Sequence, residues 1–222
     1  MMLSLRSLDA VINAFDDHGF WFPGSGHPIT VGDVCLFGVR NASDACGAWD
    51  DAIGVAYVQP DRSIAAHLYR GTTDPGREGI GKGRHPRGVA TLIPGQHRRI
   101  WTFGVHAKGR PSAHEALVQV GQVNGVWRDQ TEDGRVPRSG KVYTDAAGIN
   151  LHRASRFGST GQVGDYSHGC QVLQQPQSLA EILSVCRGQP LAGLGAHFSY
   201  ALFDVNEDPS LQPVLDEVLN AA

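Results

Sequence analysis

In residues 88–128, GVATLIPGQHRRIWTFGVHAKGRPSAHEALVQVGQVNGVWR, apolar residues come in short runs: Gly88–Ile93, Arg99–His106, Ala116–Gly121 and Val123–Arg128. Pro94-Gly95, Lys108-Gly109 and Asn124-Gly125 punctuate these runs or stand at their ends. Short runs rich in Val, Ile, Trp and Phe and bounded by turn residues are the pattern of strands. Upstream the pattern continues. Thr30–Val39 reads as a strand bent at Gly32-Asp33, and Ala52–Gln59 and Ser63–Tyr69 read as a hairpin turning at Pro60-Asp61-Arg62. Many short strands separated by turns predict a mainly β domain, closed as a sandwich or barrel, with a few peripheral helices.

Those helices are expected at three places. Leu5, Leu8, Val11, Ile12 and Phe15 recur at helical spacing, with Ser7 or Asp9 serving the first turn and His18-Gly19 ending it. Ser178-Leu179-Ala180-Glu181 reads as a capping box that opens a helix over about residues 178–187. Phe198–Val205 reads as a last strand, followed by a terminal helix at about residues 211–220 with Pro213 in its first turn. The aromatic run Phe20-Trp21-Phe22, leading into Pro23-Gly24-Ser25-Gly26, is better suited to closing a core than to binding a sugar. No repeat or linker divides the chain. It is expected to form one domain over 1–222, with residues 1–50 as an N-terminal extension, about 50–175 as the core, and 176–222 as C-terminal helices and strand.

Composition narrows the function. Among 222 residues, 19 Lys and Arg stand against 22 Asp and Glu, a formal charge of −3, which argues against a nucleic-acid-binding surface. No apolar run is long enough for a transmembrane segment. Met1–Arg6 lacks the basic and apolar regions of a signal peptide, so the expectation is synthesis in the cytoplasm. Cys35, Cys46, Cys170 and Cys186 do not make a disulfide scaffold. Cys186 falls on an apolar helical face and Cys35 in a strand; whether Cys35 pairs with Cys46 is left open. Gly79–Gly83 lacks the pattern of a phosphate-binding loop.

The chemistry concentrates in Gly148–Leu173, GINLHRASRFGSTGQVGDYSHGCQVL. A thiol becomes a nucleophile when a neighbouring base takes its proton. His152 and His168 are both close enough in sequence to serve Cys170, and the glycines between them allow the chain to fold back. A zinc site made of His152, His168 and Cys170 lacks the usual ligand spacing, so no metal and no cofactor is expected. Gly169 lets the chain approach a substrate without a Cβ in the way, and Ser167 is suited to a hydrogen bond within the turn. His106 ends an apolar strand and reads as a structural histidine within reach of the site.

Gly148-Ile149-Asn150-Leu151-His152, followed by a loop and then Ser167-His168-Gly169-Cys170, resembles the signature of the L,D-transpeptidase (YkuD-type) catalytic domain. His85–Leu92 resembles the family's Pro-x-Gly turn and strand more loosely, and the likeness extends over roughly residues 50–175. The resemblance implies a β-rich fold in which Cys170 attacks a peptidoglycan stem peptide and forms a thioester. His152 would be the general base, held by the backbone carbonyl of Arg153. Backbone N–H groups around His168, Gly169 and Cys170 would face the oxyanion. An amine or water would then resolve the thioester, giving transpeptidase, carboxypeptidase or endopeptidase activity. Arg153, Arg156, Arg70 and Lys82 are the candidates for pairing with substrate carboxylates. Where the family carries an apolar residue and then Asn or Arg after the cysteine, this chain has Gln171 and Val172. The missing signal peptide points to a phage lytic enzyme or a secreted antibacterial effector, whose partners would be a secretion machine or an immunity protein. The alternative is a non-catalytic β-rich interaction module that has kept the fold.

Overall fold

The computed structural model describes residues 1–23, 30–76, 86–129, 131, 133–188 and 196–221. The readings placed on Gly24-Ser25-Gly26, Gly79–Gly83, Lys82 and His85 lie outside these residues.

The fold is mainly β. Its strands are β1 (Val34–Arg40), β2 (Asp51–Val58), β3 (Ile64–Thr72), β4 (Val89–Leu92), β5 (Gly95–His106), β6 (His114–Gln119), β7 (Val126–Asp129), β8 (Leu151–Arg153), β9 (Gln171–Leu173) and β10 (Phe198–Asp204). Eight of them close a barrel in the order β1-β10-β5-β6-β8-β9-β3-β2, while β4 and β7 pair separately. Two barrel strands, β1 and β10, fall outside the expected core of residues 50–175. They pair with each other in parallel, Leu36 opposite Tyr200 and Arg40 opposite Asp204, so the barrel closes only with both ends of the chain.

Most barrel strands are buried on both faces, because helices cover the outside. In β2, Ile53 and Val55 join a cluster with Leu36, Trp101, Leu117, Leu151, Leu173 and Tyr200. The alternate residues Ala52 and Ala56 join a second cluster with Phe37, Phe203 and the apolar faces of α1 (Leu5–Asp17) and α3 (Gln212–Leu219). Phe15 is fully buried there, its ring 4.7 Å from Phe22 and 5.0 Å from Phe203. The aromatic run thus closes the core. Helix α2 (Pro176–Arg187) packs Leu179, Ile182, Leu183 and Cys186 against the first cluster.

Helix starts differ from expectation. Ser4, not Ser7 or Asp9, caps α1, its Oγ accepting from the Ser7 N–H at 3.3 Å; Ser7 is buried and bonds Glu217. In α2, Pro176 occupies the first turn, where its missing N–H costs nothing. Ser178 therefore lies inside the turn, and Glu181 accepts from the Tyr69 hydroxyl at 2.5 Å instead of reaching back to a cap. None of the four cysteines forms a disulfide, so Cys35 and Cys46 are not bridged. Among the described residues no helix is long and apolar enough to cross a membrane.

One buried polar cluster ties the barrel to the loops above it. Arg40, fully buried, donates from Nε to Thr73 Oγ1 at 2.8 Å, and its two terminal nitrogens donate to the carbonyls of Leu92 (2.9 Å) and Thr73 (3.0 Å). Asp51 accepts from the Asn41 N–H, the Thr73 N–H and the Thr73 hydroxyl at 2.7–2.8 Å. Asp74 pairs with Arg40 at 3.3 Å and with Arg138 at 2.6 Å. Just beyond, the Gly76 N–H donates to the Ser167 carbonyl at 2.8 Å. The cluster therefore anchors the turn that carries Cys170.

Candidate active site

Strands β8 and β9 run parallel, with Leu151 opposite Gln171 and His152 opposite Val172. Side chains alternate between the faces of a strand, so Cys170 and Val172 emerge on the face that carries His152, while Leu151 and Leu173 turn into the main core. Strand pairing, not the intervening loop, thus brings His152 to Cys170. Both residues line a cleft of about 1010 Å³. They are nearly buried, His152 2 % exposed and Cys170 8 %.

The turn before Cys170 is closed by Ser167, whose buried hydroxyl donates to the Cys170 carbonyl at 2.9 Å and accepts from the Gly169 N–H at 3.3 Å. The Gly169 amide, expected to face an oxyanion, is hydrogen-bonded within the turn. The amides of His168 and Cys170 have no partner among the described residues. Gly169 holds φ +126°, and a Cβ there would meet the Ala90 carbonyl oxygen at 2.7 Å, so any other residue is strained on both counts. His168 lines the cleft and bonds Asp165 at 3.3 Å.

His152 donates from Nδ1 to the Arg153 carbonyl at 2.8 Å, which leaves the Nε2 lone pair bare; that atom is buried and unpartnered. Burial, then the neighbouring His106, hold His152 well below the usual histidine range, so it rests neutral. The Cys170 thiol donates to the Gly148 carbonyl at 3.2 Å. Burial pushes it up to about 11, opposed by the backbone N–H of Asn150. The resting pair is thus a neutral thiol and a neutral imidazole. A substrate that draws the thiol towards His152 finds a base with an open lone pair.

Two further histidines, far away in sequence, complete the cluster. His106, at the end of β5, stacks on His152 with ring centres 3.7 Å apart and planes 15° from parallel. His114, at the start of β6, lies opposite His106 in the hairpin, its ring 5.7 Å from that of His152. A ring nitrogen of His106, one of His152 and Cys170 Sγ all lie within 4.8 Å of one another. A metal ion would need the in-plane lone pairs of both rings to converge on it at about 2.0–2.1 Å. Stacked rings hold their lone pairs in nearly parallel planes. Moreover, Asn150 Nδ2 donates to His106 Nδ1 at 3.1 Å, which places the His106 proton on Nε2. The cluster is built as a stack, not as a ligand set.

The rim is cationic. Lys108, Arg110, Arg128, Arg153 and Arg156 line the cleft, against the carboxylates of Asp145 and Asp165. Arg153 bonds the Ala154 carbonyl at 3.3 Å and Arg156 lies over the Phe157 ring at 4.5 Å. Arg70 is not brought here: it donates to the Leu219 carbonyl at the end of α3. Gln171 is not in the cleft either. It is fully buried and its Oε1 accepts from the Tyr200 hydroxyl at 2.9 Å, so the residue after the cysteine serves the interior. Sequence reasoning left His106 as a structural residue and passed over His114 and Asn150; the two histidines flanking the turn of the 106–114 hairpin were the available signal.

No family model, curated protein or solved structure matches this chain.

Proposed function

We propose that the protein is a cysteine-dependent acyl-transfer enzyme acting on peptidoglycan stem peptides. The observation that carries this reading is the bare, buried Nε2 of His152, on the same face of a parallel strand pair as the Cys170 thiol. As a substrate carbonyl approaches, the Cys170 proton moves to His152 Nε2 and sulfur adds to the carbonyl carbon. The C–N bond breaks and the amine leaves with the proton held by His152. Water or a second amine then resolves the thioester by the reverse sequence. The cationic rim supports a peptide rich in carboxylates, and of its arginines we assign Arg153 and Arg156 to that contact. The resemblance around His152 and Ser167–Cys170 supplies the substrate class.

We further propose a phage lytic enzyme or, alternatively, a secreted antibacterial effector whose partners would be a secretion machine and an immunity protein. Mass analysis of purified muropeptides after incubation with wild type and Cys170→Ala tests it. Loss of terminal D-Ala, cleaved cross-links or exchange of D-amino acids each names a reaction. Identical profiles for the two proteins defeat the proposal and favour a non-catalytic interaction module.

A further inference from the structure

Two stacked imidazoles in the cleft are held in opposite tautomers. His152 Nδ1–H is committed to the Arg153 carbonyl, so Nε2 presents a lone pair. For His106 the argument begins at the backbone. The Gln119 N–H donates to Asn150 Oδ1 at 2.9 Å, which fixes the amide and turns Asn150 Nδ2 towards His106 Nδ1, 3.1 Å away. An amide nitrogen can only donate, so His106 Nδ1 must accept and the proton resides on Nε2. That N–H has no partner among the described residues, and His106 lines the cleft. A ring present only to brace His152 would need neither a fixed tautomer nor a free donor.

We propose that His106 is a second catalytic residue, whose Nε2–H donates to a carbonyl or carboxylate oxygen of the substrate beside Cys170. The proposal rests on the acyl-transfer reading. No proton is transferred by this group: His152 takes and returns the proton, while His106 supplies a neutral, fixed donor. Asn150 acts through it as a positioning residue. Burial keeps His106 uncharged near neutrality, its pKa lowered to about 4. With the Gly169 amide engaged by Ser167, a side-chain donor here restores a partner for a substrate oxygen.

Long-range 1H–15N NMR of the full chain reads the tautomer: a protonated Nε2 and a bare Nδ1 on His106 are expected, and a protonated Nδ1 overturns the proposal. Asn150→Asp replaces the donor by an acceptor and should move the proton to Nδ1; an unchanged tautomer would show that Asn150 does not set it. Single-turnover acylation of Cys170 by a stem tetrapeptide, followed by intact mass, then separates donor from brace. His106→Phe keeps a stacking ring and is expected to acylate about 10²–10³-fold more slowly, while His106→Gln keeps an N–H and stays within about tenfold of wild type. Alkylation of Cys170 by iodoacetamide should be unchanged in both. Equal acylation by His106→Phe and wild type, or a parallel fall in alkylation, sinks the proposal. If wild type itself forms no acyl-enzyme, the acyl-transfer reading fails separately. The donor role is then judged by the His106 Nε2–H resonance on adding N-acetyl-D-alanine, where movement sustains it and no movement overturns it.

Discussion

Two polar clusters are buried in this barrel, and they are finished to different degrees. Around Arg40 every guanidinium nitrogen has an acceptor, and Asp51 accepts three hydrogen bonds. Around His152 the rings are neutral and stacked, and Nε2 of both His152 and His114 is buried without a partner. An unmet buried polar group costs about 1–3 kcal/mol. The first cluster leaves one such donor, Arg138 Nε, in the interior. The second leaves two imidazole lone pairs on residues that line the cleft, where a ligand can meet them. The first cluster is structural; the second has the composition of a site.

The largest effect expected is loss of acyl transfer to background in Cys170→Ala, with an unfolding curve close to wild type. A Cys170→Ala protein that is as active as wild type would erase the contrast. His152→Gln should lower acylation by roughly 10²–10⁴-fold, the usual contribution of a general base. Arg40→Met should cost about 3–5 kcal/mol in denaturant unfolding, since removing one member of a buried ion pair strands its partners. If that variant proved as stable as wild type, the cluster would not be the anchor its hydrogen bonds suggest. Gly169→Ala should cost about 1–3 kcal/mol, because the backbone must hold a positive φ against the Ala90 carbonyl.

The smallest effects concern acid and base. His106 and His97 have pKa values lowered to about 4 by burial, and His152 is also lowered. At these three histidines the unfolded chain binds more protons below about pH 6.5. Asp51, pushed up to about 7 by burial, opposes this with one carboxyl, so the histidines prevail and stability falls as the pH drops through that range. The urea midpoint should be lower at about pH 5 than at about pH 7, and the difference should shrink in His106→Phe. With Cys170 raised to about 11, its alkylation rate should climb about tenfold per pH unit through neutrality. A plateau below neutrality would reveal a preformed thiolate and overturn the picture of a neutral resting pair.

Much of this was legible in local signals. The β2–β3 hairpin, the strand runs of residues 88–128 and the three helices announced themselves through periodicity and turn residues. The proximity of His152 and Cys170 was expected from the glycine-rich loop between them, although strand pairing is what achieves it. What could not be read depends on which strand closes beside which. The pairing of β1 with β10 joins residues 36 and 200, and nothing local encodes it. His106 reaches His152 only because β5 turns into β6, which pairs with β8 at Leu117 and Leu151. Ser178-x-x-Glu181 misled for a different reason: Pro176 began the helix earlier, and Tyr69 claimed the glutamate. Arg70 likewise looked like any other arginine until α3 covered it.

The parallel pairing of β8 and β9 carries a consequence for how such a site diversifies. Residues 154–169 connect two adjacent strands whose register is set by their own ladder, so the reactive atoms depend little on how long that connection is. Lengthening, shortening or exchanging only the stretch 155–162, short of Val163, which is buried beside Cys170, would reshape one wall of the cleft while the ladder keeps His152 and Cys170 in place. The barrel thus fixes where His152 and Cys170 stand and the loop shapes the space beside them, so the two can change almost independently.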